Sequence, residues 1–82
     1  MDESAAGWVE RALAEMRARE FAAAEDSLRE AERLAPDDAR IYANLGTLYL
    51  RQRRDADAEA PFLKALTLAP DEPYVLTLLA HA

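Results

Sequence analysis

The sequence predicts an all-α array of antiparallel helix hairpins, two full repeats followed by one terminal helix, and three observations carry that prediction. First, the pentapeptide Leu34-Ala35-Pro36-Asp37-Asp38 returns as Leu68-Ala69-Pro70-Asp71-Glu72. Self-similarity at a period of about 34 residues marks a stack of helical hairpins. Second, the chain has only two glycines and four prolines and is rich in Ala, Leu, Glu and Arg, so it favours helix nearly throughout. Third, no alternating run rich in Val, Ile or Thr offers a strand. The chain reads as a single domain over 1–82, with repeat one at 5–38, repeat two at 39–72 and a partial repeat or end helix at 73–82.

The elements follow in order. A helix is expected from about Gly7 to Arg17, a tight turn through Ala18-Arg19-Glu20, and a second helix from about Phe21 to Leu34, ended by Pro36 and Asp37. The third runs from about Ala39 to Arg51, opened by Asp37 or Asp38, whose short carboxylate accepts orphan backbone N–H bonds. Arg53-Arg54-Asp55 makes the next turn, and the fourth helix spans roughly Ala56 to Leu68. Pro61 lacks a helical donor. With Asp57 as N-cap it falls near the first turn; with an earlier start a kink is expected. A fifth helix begins at Pro73, a residue suited to the first helical position, and reaches the last residue, Ala82.

In the second unit the spacing Tyr42-x-x-Leu45-Gly46-x-x-Tyr49, then Ala58-x-x-x-Phe62, then Pro70, resembles the tetratricopeptide repeat, with Tyr for the usual opening Trp. Trp8, Ala12, Ala24, Leu28, Ala31 and Pro36 stand one period before Tyr42, Gly46, Ala58, Phe62, Ala65 and Pro70, and Leu76, Leu79 and Ala80 begin a third unit. The resemblance implies a right-handed superhelical array. Small residues at 12, 46, 24, 58, 31 and 65 let helix axes approach, and Trp8, Tyr42, Tyr49, Leu45, Leu28 and Phe62 fill the gaps as core. The first helix departs from the pattern: in strict register Arg11 and Glu15 fall where Leu45 and Tyr49 sit. A competing stripe, Val9, Ala12, Leu13 and Met16, follows the rule of an amphipathic helix, and we prefer this rotated reading, which leaves Arg11 and Glu15 in solvent.

The resemblance further implies a concave groove, lined by the first helix of each hairpin, that holds a peptide or partner helix. Its candidates are Arg40, Ala43, Asn44, Thr47, Leu50 and Arg51 from the second unit and Tyr74, Leu78, Thr77 and His81 from the third. The first unit adds either Val9, Leu13 and Met16 or, if rotated, Glu10 and Arg17. One mode of the family clamps the terminal carboxylate of chaperone tails with two Lys, two Asn and an Arg. Here only Asn44 matches. Val9, Leu13, Tyr74 and Leu78 occupy the other places and cannot donate to a carboxylate, so that clamp is rejected.

Composition narrows the function further. Sixteen acids against ten bases give a net charge of −6, which opposes nucleic acid and anionic membranes. There is no signal or membrane-spanning stretch, and no cysteine, which fits a reducing compartment and points to the cytoplasm. The single histidine, His81, cannot make a multi-histidine metal site. Ser4 and Ser27 lack a sequence-local base, Ser27 reading as part of a solvated face among Glu25, Asp26, Arg29 and Glu30, and no glycine-rich phosphate loop is present. No cofactor, metal or catalytic role is expected. Arg51, Arg53 and Arg54, beside Asp55 and Asp57, read as a solvated turn, with Arg51 kept for the groove.

The expected function is therefore protein–protein interaction, with a peptide or helix in the groove. The alternative is a self-associating structural module or a piece of a longer array. Its motive is the run Tyr74-Val75-Leu76-Thr77-Leu78-Leu79-Ala80, apolar nearly all round, with no following helix to cover it. Val75, Leu76 and Leu79 are the self-association candidates, and a homo-oligomer is the form they would build.

Overall fold

Four helices in two antiparallel hairpins make up the computed structural model, which describes residues 4–69. They are α1 (Ala5–Arg17), α2 (Phe21–Leu34), α3 (Ala39–Arg51) and α4 (Asp55–Leu68). The chain divides into two compact units, Met1–Asp37 and Asp38–Ala82. In the first, α1 packs on α2; in the second, α3 packs on α4. The expected fifth helix, with Tyr74, Val75, Leu76, Thr77, Leu78, Leu79 and His81, lies outside the described residues.

Every helix bound recurs at the spacing of the pentapeptide: Ala5 and Arg17 return as Ala39 and Arg51, and Phe21 and Leu34 as Asp55 and Leu68. The turns repeat too. After α1 the Glu20 N–H donates to the Glu15 carbonyl at 2.8 Å and the Arg19 N–H to the Met16 carbonyl at 3.0 Å. After α3 the Arg54 N–H donates to Tyr49 at 2.8 Å and the Arg53 N–H to Leu50 at 3.0 Å. This paired closure consumes carbonyls that a helix end leaves orphaned and requires a left-handed residue between them. Arginine fills that place in both turns, Arg19 at φ 62° and Arg53 at φ 59°. Glycine would carry this conformation without a Cβ penalty.

Starts differ from ends. α1 begins two residues before the expected Gly7, because the Ser4 hydroxyl accepts from the Gly7 N–H at 3.3 Å. Asp38, not Asp37, caps α3, accepting from the Arg40 N–H at 3.0 Å. Partial burial pushes the Asp38 carboxyl up, but the side-chain and backbone hydrogen bonds from Arg40, with its charge, outweigh that and hold it below the ordinary carboxylate range. Asp57 is not the cap of α4: the helix begins at Asp55, so Asp55 and Asp57 lie in its first turn, where carboxylates favour the helix dipole. Pro61 is consequently interior, and α4 forgoes the hydrogen bond to the Asp57 carbonyl.

Each core is built as the repeat demands. Ala12, Ala24 and Ala31 are sealed in the first hairpin, and Gly46, Ala58 and Ala65 in the second. At the second crossing the Phe62 ring lies so close to Gly46 that a Cβ there would sit 2.5 Å from Phe62 Cε1. The matching positions in the first hairpin hold Ala12 and Leu28, both fully buried. A Cβ gained on one helix is matched by a ring lost from the other. Leu28, Leu45, Tyr42, Tyr49 and Phe62 are buried as expected of fillers, whereas Trp8 is only half-buried.

Candidate functional site

α3 divides cleanly around its axis. Ile41, Tyr42, Leu45, Gly46, Leu48 and Tyr49 are buried, while Arg40, Asn44, Thr47, Leu50 and Arg51 are half-buried or exposed. At about 100° per residue these five fall within one arc of about 120°. The arc exists because apolar residues occupy the rest of the helix, so the polar ones are left together by exclusion. Ala43 lies in the same arc but is only 2% exposed, so it offers a partner no surface.

The polar groups of the arc are not equivalent. Arg40 is anchored, its guanidinium 3.2 Å from Asp38 Oδ2 and 3.4 Å from Oδ1. The Thr47 hydroxyl donates to the Ala43 carbonyl at 3.0 Å, which leaves Thr47 an acceptor toward any ligand. Arg51 extends from the last turn of α3 and is exposed. Arg54 is committed elsewhere, 2.9 Å from Asp57 and 4.5 Å from the centre of the Tyr49 ring. In α1, Glu10 and Arg17 are exposed and Leu13 is half-buried, while Val9 and Met16 belong to the core.

The first hairpin carries an arrangement that the sequence reading missed. Ser27 is not on a solvated face: it is 3% exposed, and its hydroxyl donates to Glu15 Oε1 at 2.6 Å. Nor is Glu15 left in solvent. Its side chain is 15% exposed and its second oxygen lies 3.5 Å from Arg11 Nε, with Arg11 itself 65% exposed and over the Trp8 ring at 5.3 Å. These residues, with Asp26 and Glu30, line a cleft of about 420 Å³ between α1 and α2. Val9, Ala12 and Met16 of the amphipathic stripe are buried, Leu13 is half-buried and Arg11 is exposed, as the rotated reading expects; Glu15 alone departs from it, because Ser27 supplies the donor that makes a partly buried carboxylate tolerable. The conflict at Arg11 and Glu15 was visible in the sequence. Its resolution needed a hydroxyl twelve residues away that only the hairpin brings near.

Neither arrangement is built for bond chemistry. The Ser27–Glu15 pair lacks an imidazole, and the backbone N–H groups around it are spent inside helices. Among the described residues no three His, Cys, Asp or Glu side chains gather closely enough to hold a metal ion. Among the described residues, too, no helix is long and apolar enough to cross a membrane. Ion pairs line the surface of α2: Arg29 lies 3.9 Å from Glu25 and 3.0 Å from Glu32, and Arg33 binds Glu30.

The whole chain matches no curated protein. The sequence pattern of the tetratricopeptide repeat, by contrast, matches residues 9–73, which take in α2, α3 and α4 and most of α1. With its helix bounds, turns and small-residue crossings all recurring at that spacing, the chain belongs to the tetratricopeptide repeat family.

Proposed function

We propose that the chain is a protein-interaction module that holds an extended peptide or an amphipathic helix along the accessible arc of α3. Tetratricopeptide repeats generally mediate protein–protein interaction and are typically non-catalytic. The observation that carries the reading is the arc itself, with arginines at both ends and Asn44, Thr47 and Leu50 between them. Arg40 and Arg51 are eleven residues apart, about 16 Å along the helix axis at 1.5 Å per residue. An extended peptide covers that span in about five residues. The partner is therefore a segment with two acids about five residues apart around an apolar anchor for Leu50, or a helix with acids about three turns apart.

Selection from a random twelve-residue displayed library tests this. Enriched peptides carry the paired acids, and their affinity falls at least tenfold in Arg51→Glu and severalfold in Arg40→Ala. Peptides that bind both variants as well as the parent would remove the arc from consideration.

A second copy of the chain is the other occupant that the sequence favours, through Val75, Leu76 and Leu79. In that case light scattering gives a mass that rises with concentration and returns to the monomer in Leu79→Glu. A strict monomer at high concentration rules it out.

A further inference from the structure

Arg11 shows what kind of group the cleft of the first hairpin holds. Its guanidinium carbon lies 5.3 Å from the centre of the Trp8 ring and its Nε 3.5 Å from Glu15. An aromatic face beside a carboxylate is a favourable seat for a planar cation. Arg11 fills that seat loosely: its side chain is 65% exposed, and its contact with Glu15 is longer than the roughly 2.7–2.9 Å of a charge-assisted hydrogen bond. With Arg11 in place the cleft still measures about 420 Å³, within the roughly 300–1,000 Å³ of small-ligand sites. Asp26 and Glu30 line it as well, so three carboxylates face one cation. Asp26 is exposed and enters no ion pair among the described residues, while Arg33 draws on a single oxygen of Glu30. The Ser27 hydroxyl, donating to Glu15 Oε1 at 2.6 Å, holds the third carboxylate in the cleft wall. Nothing of this recurs in the second hairpin, where Leu45, Tyr49, Ala60 and Lys64 stand in place of Arg11, Glu15, Asp26 and Glu30. There the hairpin supplies its own cation to the aromatic ring, Lys64 Nζ lying 5.5 Å from the centre of Tyr42.

We infer that the cleft formed by Trp8, Glu15, Asp26 and Glu30 is a seat for an arginine side chain of a protein partner, and that Arg11 is its exchangeable occupant. The incoming guanidinium replaces Arg11 over the Trp8 ring and turns its other N–H donors to Asp26 and Glu30, neighbours one turn apart on α2. Arginine suits the seat better than lysine, because a planar fork can stack on indole and donate to two carboxylates at once, whereas an ammonium is a compact, strongly hydrated point charge. The net charge of −6 draws a basic segment toward the chain. The seat lies wholly within the first hairpin and calls for a charge opposite to the one the α3 arc calls for, so the inference stands whether or not that arc binds a peptide.

Trp8 is the only tryptophan of the chain, so its fluorescence reports the seat directly. The probes are tripeptides blocked at both ends, with arginine, lysine or citrulline between two alanines, titrated into the whole chain at low salt. The arginine peptide is expected to give a saturable change that added salt weakens. The lysine peptide should bind about threefold more weakly or worse, and the citrulline peptide, neutral and nearly the same shape, should give no saturable change. Asp26→Asn with Glu30→Gln is expected to weaken arginine binding about threefold or more, and Arg11→Ala to tighten it by a similar factor, since the internal competitor is gone. Circular dichroism checks that both variants keep the parent's helix content. No saturable change with the arginine peptide, equal responses to arginine and to lysine or citrulline, unaltered affinity in the double variant, or unchanged or weaker binding in Arg11→Ala would each overturn the inference. Arg40→Ala and Arg51→Glu, which test the α3 arc, are expected to leave these titrations as they are, so the two readings fail separately.

Discussion

Arg19 and Arg53 show how a single dihedral becomes a stability term. A left-handed backbone places Cβ against the following carbonyl and costs about 1–2 kcal/mol, while glycine loses about 0.5–1 kcal/mol in chain entropy instead. Arg19→Gly and Arg53→Gly are therefore expected to stabilise their hairpins by about 0.5–1 kcal/mol each, read as raised urea midpoints. Unchanged or lowered midpoints would mean that the arginines gain more from their surroundings than the backbone loses. Asp38 acts through protons. Its carboxyl titrates lower folded than unfolded, so its stabilisation is full above the ordinary carboxylate range and is lost as pH falls through the folded value. Asp38→Asn keeps a capping oxygen without the titration. The stability gap between parent and variant should be constant above about pH 5 and shrink below about pH 4. At this scale the sequence was only partly legible. Asp38 could be narrowed to one of two neighbours, but the Glu15–Ser27 bond could not be foreseen, since helical periodicity says nothing about side chains meeting across a turn.

The two helix crossings carry the next scale. Gly46→Ala improves helix propensity by about 1 kcal/mol, but its methyl would meet a fully buried ring that cannot withdraw, at an overpacking cost of about 2–3 kcal/mol. A net loss of about 1–2 kcal/mol is expected, largely cancelled when Phe62→Leu is added, since that pair reproduces the Ala12–Leu28 packing of the first hairpin. A double-variant cycle with no coupling would disprove the matched-volume account. Ala24→Leu and Ala58→Leu, both at sealed positions, should each cost about 1–3 kcal/mol by the same reasoning. Unchanged melting temperatures in both would contradict it. These crossings were fully legible in the sequence, because small residues recur at the repeat spacing and their alternatives are excluded by size alone. The start of α4 was legible to one residue, Ala56 against Asp55, but its cap was not. Asp57 is a good capping residue, yet the helix opens at Asp55 and carries Pro61 inside it, so tertiary packing outweighed both local preferences.

At the scale of the whole molecule the acidic balance matters more than any one group. A net charge of −6 predicts no retention on heparin and no shift of a short DNA duplex even at low salt, where polyanion binding is strongest. A salt-sensitive shift would show that the arginines of α3 act as a phosphate-binding patch. The turn arginines have one last consequence. Both are exposed, and both follow a helix end, so a protease specific for basic residues meets its preferred side chain at the same point of each hairpin. Cleavage after Arg19 and Arg53 releases residues 20–53, a fragment one repeat long made of the last helix of one repeat and the first of the next. The same two residues that close the hairpins also mark the chain at intervals of one repeat, so limited digestion becomes a ruler for which unit opens first.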